Sequence, residues 1–286
     1  MYRALVATSL LACGFLAAAP AAAETTPPRC IEITSLPVAP ITTAGVYCLT
    51  KDLATAATSG TTIPIQANNV TIDCNDHKVG GTAAGPGTTA VGIGGSGANA
   101  TVRNCNVRGF RMGILLLGEG GAVEDNRLDG NTWIGVYLIG DGGVVRGNRV
   151  FDTGGNTGEV PPVGIQTNGD IDVLGNTVAN VMATAASGDP AYGIRTDYND
   201  SGAIGDNHVR NILPDGANSA TGIYNVNNGR ISIYRNRVSN PGTAGYGLLC
   251  AFNGGPAIAS DNHINGFSLT PDAMPFCFDG GNNVAR

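Results

Sequence analysis

The chain has 286 residues, of which 43 are glycine and only 13% are charged, and its formal net charge is −6. Its 16 Lys and Arg residues form no basic block. We therefore expect no nucleic-acid partner, because binding phosphates requires clustered positive charge. The glycines follow no three-residue period, which excludes a collagen-like chain, and the length fits one all-β domain.

The first 23 residues predict a signal peptide. Arg3 supplies a positive charge, residues 4–18 are mostly apolar, and the alanines at 21–23 offer a cleavage site. The apolar run is too short for a membrane span, so we expect a secreted or periplasmic bacterial protein. The competing interpretation is a lipoprotein lipidated at Cys13, but the apolar run continues beyond Cys13 and favours soluble export.

Residues 24–67 predict a leader followed by an N-terminal cap. Two short strand patterns, at 31–33 and 46–49, are interrupted by prolines. A segment of this kind would cover the first turn of a repeat array, whose apolar interior is otherwise exposed. The repeats themselves are predicted over residues 68–286.

One short pattern recurs along the rest of the chain: an apolar residue, two variable residues, Asn, one variable residue and a second apolar residue. A Gly-apolar pair follows each of the first five copies and begins another apolar run. Copies of one pattern at spacings of 22 to 31 residues indicate a solenoid. The copies are residues 123–128, 145–150, 173–178, 204–209, 233–238 and 259–264.

The apolar runs predict strands. In residues 193–197, Ile194 and Thr196 would face one way, while Arg195 and Asp197 would face the other. The recurring Asn predicts a ladder of tight turns, since Asn tolerates a left-handed backbone and its amide can both donate to and accept from its neighbours. About eight rungs are expected, with ladder positions at Asn75, Cys105, Asn126, Asn148, Asn176, Asn207, Asn236 and Asn262.

Removing the signal peptide leaves six cysteines, which in an exported chain indicate disulfides rather than a metal site. Parity alone allows fifteen connectivities, but two pairs occupy near-equivalent positions of consecutive copies. Neighbouring strands lie about 4.8 Å apart, close to the roughly 5.5 Å between the Cα atoms of a disulfide. We therefore predict the bridges Cys74–Cys105, Cys250–Cys277 and, in the cap, Cys30–Cys48.

Over roughly residues 40–281 the pattern resembles the right-handed parallel β-helix superfamily, the fold of pectate lyases, polygalacturonases and parallel β-helix repeat proteins. The entry phrase PITTAGVYCL at 40–49 and the first-rung phrase NVTIDCNDH at 69–77 carry the resemblance together with the repeats. The resemblance implies an all-β, single-stranded, right-handed parallel β-helix. It does not by itself imply one activity, because function depends on the site and not on the scaffold.

In this superfamily the strand after the variable loop presents its outer face to a polysaccharide. By this resemblance, two outward columns here would form a polysaccharide site, with polar residues concentrated in the middle rungs. Tyr rings suit sugar faces, and amides and Arg suit hydroxyls or a uronate carboxylate. The candidate substrate-binding residues are Tyr137, Gln166, Asn168 and Tyr224.

The resemblance also suggests a polysaccharide lyase acting on an acidic glycan. A lyase needs a base for the C5 proton and a cation such as Ca²⁺ beside the uronate. Arg195 is the candidate base, and Asp197 is the candidate orienter or first Ca²⁺ ligand, with Asp189 or Asp200 as further metal ligands. Hydrolysis is disfavoured, because the Asp-Asp, Gly-His-Gly and Arg-x-Lys phrases of polygalacturonases are missing.

A non-catalytic protein that binds a glycan, or that serves a structural role at the cell surface, is the alternative. An Arg and an Asp two residues apart on a strand commonly form a solvated surface ion pair of little energetic value. The oligomeric state stays open.

Two further patterns have a functional and a structural interpretation. Basic residues that follow the ladder Asn could form a stripe for an anionic polymer, but nearby acids favour a solvated charge face. Acidic residues recurring in the turns could bind Ca²⁺, but more often serve the turn itself. The stripe is Arg127, Arg149, His208, Arg237 and His263, and the turn acids are Glu119, Asp141, Asp170 and Asp200.

Overall fold

The computed structural model describes residues 30–158, 160–184, 190–199, 201–216, 219–226, 231–250, 257–267 and 276–286. The predicted signal peptide, the lipoprotein Cys13 and the candidate ligands Asp189 and Asp200 lie outside these residues. The described part contains one short 3-10 helix, Thr82–Ala84. None of its helices is long and apolar enough to cross a membrane.

The described strands form three sheets, which we call A, B and C, and all strand pairs within them are parallel. Sheet A contains β1 (Ile31–Ile33), β2 (Gly45–Leu49), β5 (Val70–Asp73), β8 (Thr101–Arg103), β11 (Ala122–Glu124), β14 (Gly143–Arg146), β17 (Ile171–Leu174), β20 (Ala203–Gly205), β23 (Ser232–Tyr234), β26 (Ile258–Ser260) and β28 (Phe278–Gly281). Sheet B contains β4 (Thr61–Ile65), β7 (Val91–Gly95), β10 (Met112–Leu116), β13 (Ile134–Ile139), β16 (Val163–Asn168), β19 (Ala191–Asp197), β22 (Ala220–Val226) and β25 (Gly245–Cys250). Sheet C contains β3 (Leu53–Ala54), β6 (Lys78–Gly80), β9 (Asn106–Arg108), β12 (Arg127–Asp129), β15 (Arg149–Gly154), β18 (Thr177–Met182), β21 (His208–Leu213), β24 (Arg237–Thr243), β27 (His263–Phe267) and β29 (Val284–Ala285).

Each turn of the coil visits sheet B, then sheet A, then sheet C, and each strand pairs with the strand one turn away. Thus β10 pairs with β13 and β13 pairs with β16, with Ile114 opposite Val136 and Val136 opposite Ile165. These three side chains have no exposed surface. The arrangement confirms the predicted all-β, right-handed parallel β-helix, while the three sheets differ in their number of strands.

From β7 to β25, a Gly precedes the first inward apolar residue of each strand of sheet B, and it reflects a close approach between rungs. A Cβ built on Gly193 would lie 2.4 Å from Cγ1 of Val209 and 2.5 Å from the carbonyl oxygen of Gly222. No side chain fits at such distances, so Gly is required where the strand enters sheet B against sheet C.

The predicted Asn ladder runs through the turn between sheets A and C. Asn148 donates from Nδ2 to Oδ1 of Asn176 at 3.0 Å, and Asn176 donates to Oδ1 of Asn207 at the same distance. The six ladder Asn residues from Asn126 to Asn262 are buried, and each also donates to a backbone carbonyl of the preceding rung, as Asn176 does to Val145 at 2.9 Å. Asn75 is exposed. The ladder therefore satisfies polar groups inside a turn that excludes water.

The expected reason for Asn at these turns was partly wrong. From Asn126 onward the left-handed backbone belongs to the residue before the ladder Asn, with φ of 54° at Asp125, 57° at Asp206 and 55° at Asp261, whereas in the first rung Asn75 itself has a φ of 46°. Two other rungs place Gly there, at Gly147 and Gly175. The ladder Asn is therefore selected by its amide hydrogen bonds, and its neighbour absorbs the tight bend.

The three predicted disulfides are confirmed. Their Cα atoms are separated by 4.7 Å in Cys74–Cys105, 5.1 Å in Cys250–Cys277 and 5.7 Å in Cys30–Cys48. The first two bridges join consecutive rungs, as their positions in the repeat predicted. The third ties the start of the described chain to β2, which pairs with β1 and β5 and so extends sheet A at its N-terminal end.

Candidate functional site

The outer face of sheet B brings most of the predicted site residues together. Tyr137 lies opposite Gln166 in the β13–β16 pair, Gln166 opposite Arg195, and Arg195 opposite Tyr224. Their inward neighbours, such as Ile194, are fully buried, whereas these four side chains are partly exposed. Period-two alternation along parallel strands in register produces such columns.

A second column lies two residues further along the same strands and places Asn168 opposite Asp197. Asp197 is only 6% exposed, and it is the acceptor at the centre of the cluster. Gln166 donates from Nε2 to its Oδ2 at 3.0 Å, while Nε and Nη2 of Arg195 each lie 3.2 Å from its Oδ1. A carboxylate this buried requires such partners, because an unpaired buried charge is costly.

Arg195 also lies beside two stacked aromatic rings. The rings of Tyr192 and Tyr224 stack with centroids 5.6 Å apart and an interplanar angle of 20°. The guanidinium carbon of Arg195 lies 5.5 Å from the Tyr192 centroid and 6.0 Å from the Tyr224 centroid. The guanidinium is therefore oriented both by cation–π contacts and by Asp197.

Sequence reasoning missed Tyr192. It precedes the Gly-Ile pair at which the repeat was aligned, and the predicted columns began after that pair. The register shows Tyr192 opposite Thr221, and Thr221 opposite Tyr246. Comparing the residue before each Gly-apolar pair would have found this third column and its two tyrosines.

Tyr137 is electrostatically coupled to this cluster. Burial raises the pKa of its hydroxyl above the ordinary value, and the negative charge of Asp197 raises this pKa further. The positive charge of Arg195 and a hydrogen bond with the side chain of Asn168 act in the opposite direction but do not cancel the rise. Tyr137 is therefore a protonated phenol near neutral pH.

The described residues do not form a calcium site around Asp197. Both of its carboxylate oxygens accept hydrogen bonds from Gln166 or Arg195. Within the described ranges, no group of three His, Cys, Asp or Glu side chains is arranged to hold a metal ion. Calcium thus stays a prediction with Asp197 as the first ligand and Asp189 or Asp200 as further ligands, and these last two lie outside the described residues.

Two other sequence features have structural explanations. Trp133 donates from Nε1 to the carbonyl of Pro161 at 3.0 Å and stacks under Arg111 at 4.6 Å, so it anchors a loop. Among the turn acids, Asp141 accepts from the backbone N–H of Asp170 at 3.0 Å, and Asp170 accepts from that of Ser201 at 3.1 Å. These carboxylates link successive turns.

No protein-family model and no curated protein matches this chain. Among solved structures, the Dettilon tailspike protein gp208 aligns with a TM-score of 0.53 at 16% identity, over 88% of this chain and 59% of that one. The chain thus spans about three fifths of the tailspike's length.

The periplasmic alginate epimerase AlgG (TM-score 0.37, 13% identity, 86% of this chain and 73% of that one) also aligns. So does the A-module of the mannuronan C-5 epimerase AlgE4 from Azotobacter vinelandii (TM-score 0.39, 14% identity, 82% and 81%). Scores this low support no argument about activity, and the tailspike alignment shows the fold alone. The repeats, the three parallel sheets and the tailspike alignment together show that the chain has the right-handed parallel β-helix fold.

Proposed function

We propose that the protein binds an acidic polysaccharide along the outer face of sheet B. The observation that carries this proposal is the convergence of Gln166, Arg195 and Asp197 on one cluster, flanked by Tyr137 and the stacked tyrosines. Tyr rings can stack on sugar rings through their apolar faces. Amide groups and a guanidinium can hold hydroxyl and carboxylate groups.

The geometry suits a polymer better than a compact ligand. The columns extend along the coil axis, with one side chain per rung at a spacing of about 4.8 Å. Tyr137 and Tyr224 lie at the two ends of the column that contains Gln166 and Arg195, and they provide platforms for successive sugar units. Asn168 lies beside them in the second column. A linear chain parallel to the axis would therefore contact several rungs.

The specific reaction that we propose is β-elimination across a uronate. A neutral Arg195 would take the C5 proton, the C5–H electron pair would form the C4=C5 double bond, and the C4–O4 bond would break with its electron pair on O4. Tyr137, which its raised pKa keeps protonated, is the residue that would return a proton to that oxygen. Asp197 would orient Arg195.

The second candidate is glycan binding without turnover. The observation that favours it is the same ion pair, because an Arg held by a buried carboxylate and two tyrosine rings is a strong cation and a poor base. In that role Arg195 would bind a uronate carboxylate through its free N–H groups.

Two measurements on the same samples separate the candidates. Ultraviolet absorbance detects unsaturated uronate when the mature protein meets pectate, alginate or glycosaminoglycans, with Ca²⁺ or with a chelator. Affinity electrophoresis in gels containing the same polymers measures binding without turnover. A lyase gives product that Arg195→Ala abolishes, by at least about a hundredfold, and a dependence on Ca²⁺ would assign the cation.

A binder gives retardation without product, and Tyr224→Ala should weaken that retardation by about tenfold, the value of one aromatic contact. Met182→Ala on sheet C is the matched control for an exposed side chain on another face. Neither product nor retardation with any of the polymers would refute the proposed function.

We further propose that the protein is exported and soluble. Three disulfides are typical of chains that fold outside the cytosol, and the apolar N-terminal run has the form of a signal peptide. N-terminal sequencing of the exported protein tests this. A start at Glu24 supports soluble export, and a lipidated Cys13 refutes it.

A further inference from the structure

Charge is distributed unequally over the three sheets. The ten described strands of sheet C contain six Lys or Arg residues and two Asp residues, in a chain whose net charge is −6. The strands of sheet B contain one Arg and one Asp, and those of sheet A contain two Arg residues against five acids. The six cationic residues of sheet C are Lys78, Arg108, Arg127, Arg149, Arg210 and Arg237.

Most of these side chains lie in register. Arg127 is opposite Arg149 in the β12–β15 pair, His208 is opposite Arg237 in the β21–β24 pair, and Arg237 is opposite His263 in the β24–β27 pair. Thr177 connects the two groups, since it lies opposite both Arg149 and His208. The stripe therefore follows the coil axis, although its members are 22 to 31 residues apart in the chain.

The C-terminal part of this stripe widens into a shallow cleft. Its outward residues form two columns over three rungs, with Ser239 opposite both Arg210 and Asn265. His208, Arg237, Ser239, His263 and Asn265 line the cleft, and the intervening Val209, Val238 and Ile264 are buried. We define the basic cleft as these five polar residues together with Arg210, which lies beside the lining, opposite Ser239.

The positive charge of the basic cleft is not neutralised within the described part of the chain. Neither Arg210 nor Arg237 forms an ion pair there, whereas further along sheet C Arg127 pairs with Asp129 at 3.0 Å. Of the acids that precede the ladder Asn in these rungs, Asp206 is held by Arg235 with two contacts of 2.7 Å. Asp261 lies near Arg237 and His263 but pairs with neither among the described residues. Burial, and then the charges of Arg210 and Arg237, lower the pKa of His208, as expected where positive potential is uncompensated.

From this arrangement we propose that the basic cleft is a second binding site, for the carboxylate or sulfate groups of an acidic polysaccharide. Arg210 and Arg237 would hold the anionic groups, while Ser239 and Asn265 would bind hydroxyls between them. The proposal concerns a different sheet from the function proposed for sheet B, and it does not depend on that function.

The shape of the cleft selects this class of partner. It is only two side-chain columns wide and extends along the axis, which fits one linear chain rather than a duplex. Nucleotide strands are usually bound through aromatic rings that stack on the bases, and none of the six cleft residues is Tyr, Phe or Trp. The rings of sheet B, by contrast, lie on a different face of the coil.

The test compares two double variants of the full mature chain that lose the same charge. Arg210→Gln/Arg237→Gln removes two cations from the basic cleft. Arg103→Gln/Arg146→Gln removes two from the outer face of sheet A, where the arginines already pair with Asp73 and Glu124. Binding to polygalacturonate and to heparin is measured by calorimetry at low and moderate salt, with neutral dextran and single-stranded DNA as comparison polymers.

We expect the cleft variant to bind at least about tenfold more weakly, since each charge-assisted hydrogen bond contributes on the order of a tenfold change. The sheet A variant should bind as the unaltered protein does. The difference should shrink as salt rises, because bound polyanions release counterions. Polygalacturonate binding alone would identify a carboxylate partner, and heparin binding alone a sulfated one.

Three results would overturn the proposal: no binding of either acidic polysaccharide at low salt, equal weakening in the two variants, or single-stranded DNA bound as tightly through the same arginines. Circular dichroism and thermal unfolding verify that both variants fold, which is expected because the replaced arginines are exposed. Should the cleft variant unfold, Ser239→Ala/Asn265→Ala replaces it and should weaken binding by a smaller factor.

Discussion

The outer faces of sheets B and C use the same scaffold in opposite ways. On sheet B the one Arg of the strands is paired with Asp197 and lies beside two stacked tyrosines, so that polar groups and ring faces dominate the surface. On sheet C, Arg210 and Arg237 lack ion pairs in the described part, so that net charge dominates. Both faces rest on inward columns of Val and Ile that are fully buried. In this coil the core specifies the fold, and the outward residues of each sheet are free to specify different surfaces.

The largest expected effect on stability comes from substituting a residue of the Asn ladder, because the ladder supports both faces. Asn176→Ala removes an amide that accepts from the backbone N–H and Nδ2 of Asn148 and donates to Val145 and Asn207. Several buried polar groups would lose their partners, so we expect a loss of about 3–5 kcal/mol in the free energy of unfolding. Denaturant titration measures it.

Asn265→Ala is the control for the ladder variant, because Asn265 is exposed. It should change the free energy of unfolding by less than about 0.5 kcal/mol. Similar losses in the two variants would show that the ladder contributes no more than a surface amide.

The same substitution on the two faces should give different stabilities. Arg195→Ala leaves the buried carboxylate of Asp197 with Gln166 but without a cation, which we expect to cost about 2 kcal/mol after allowance for the partial exposure of Arg195. Arg237→Ala removes an exposed cation without an ion pair in the described part and should cost less than about 0.5 kcal/mol. Thermal unfolding of both variants measures the contrast, and equal costs would contradict it.

The pH dependence of stability should sharpen the contrast. The folded pKa of His208 lies below its ordinary value of 6.5, so the unfolded chain binds more protons in that range. The contribution of His208 to the free energy of unfolding is therefore present above about pH 6.5 and is lost as the pH falls through the pKa of the folded state. His208→Gln should flatten the acid side of a stability–pH curve. An unchanged curve would mean that its folded and unfolded pKa values coincide.

The groups that face His208 explain the direction of this shift. Arg210 lies on the same strand and Arg237 on the next strand, while Thr177 on the preceding strand is uncharged. The acid nearest in sequence, Asp206, is bound by Arg235. A polyanion in the basic cleft should therefore raise the pKa of His208, which a proton NMR titration with and without heparin detects.

The smallest effect concerns a single phenol on sheet B. Asp197→Asn removes the second cause of the raised pKa of Tyr137, and burial, the first cause, is retained. The pKa of Tyr137 should therefore fall, as measured by NMR of ring-labelled tyrosine. Asp279→Asn, an exposed acid on sheet A, is the matched control and should leave this pKa unchanged.

The sequence predicted the fold, the outward columns of sheet B and the disulfides, because each depends on a period that the Asn ladder fixes. Tyr192 was not predicted, since the Gly beside it interrupts the alternation at the entry to sheet B. The basic stripe was recognised but was interpreted as facing alternating acids. In the structure Glu124 lies on sheet A and pairs with Arg146 at 3.0 Å. The Asn turn lies between sheets A and C, so residues that are close in sequence on its two sides lie on different faces of the coil.

The disulfides have a consequence for how the coil comes apart. A stack of rungs in which each contacts only its neighbours tends to fray from its ends. Cys30–Cys48 and Cys74–Cys105 fasten one end, and Cys250–Cys277 fastens the other. The long middle section between them depends on hydrogen bonds and packing alone. Reduction would release the tips first, so His263 and Asn265 on β27, in the rung that begins with the strand of Cys250, should loosen before Tyr192 on β19.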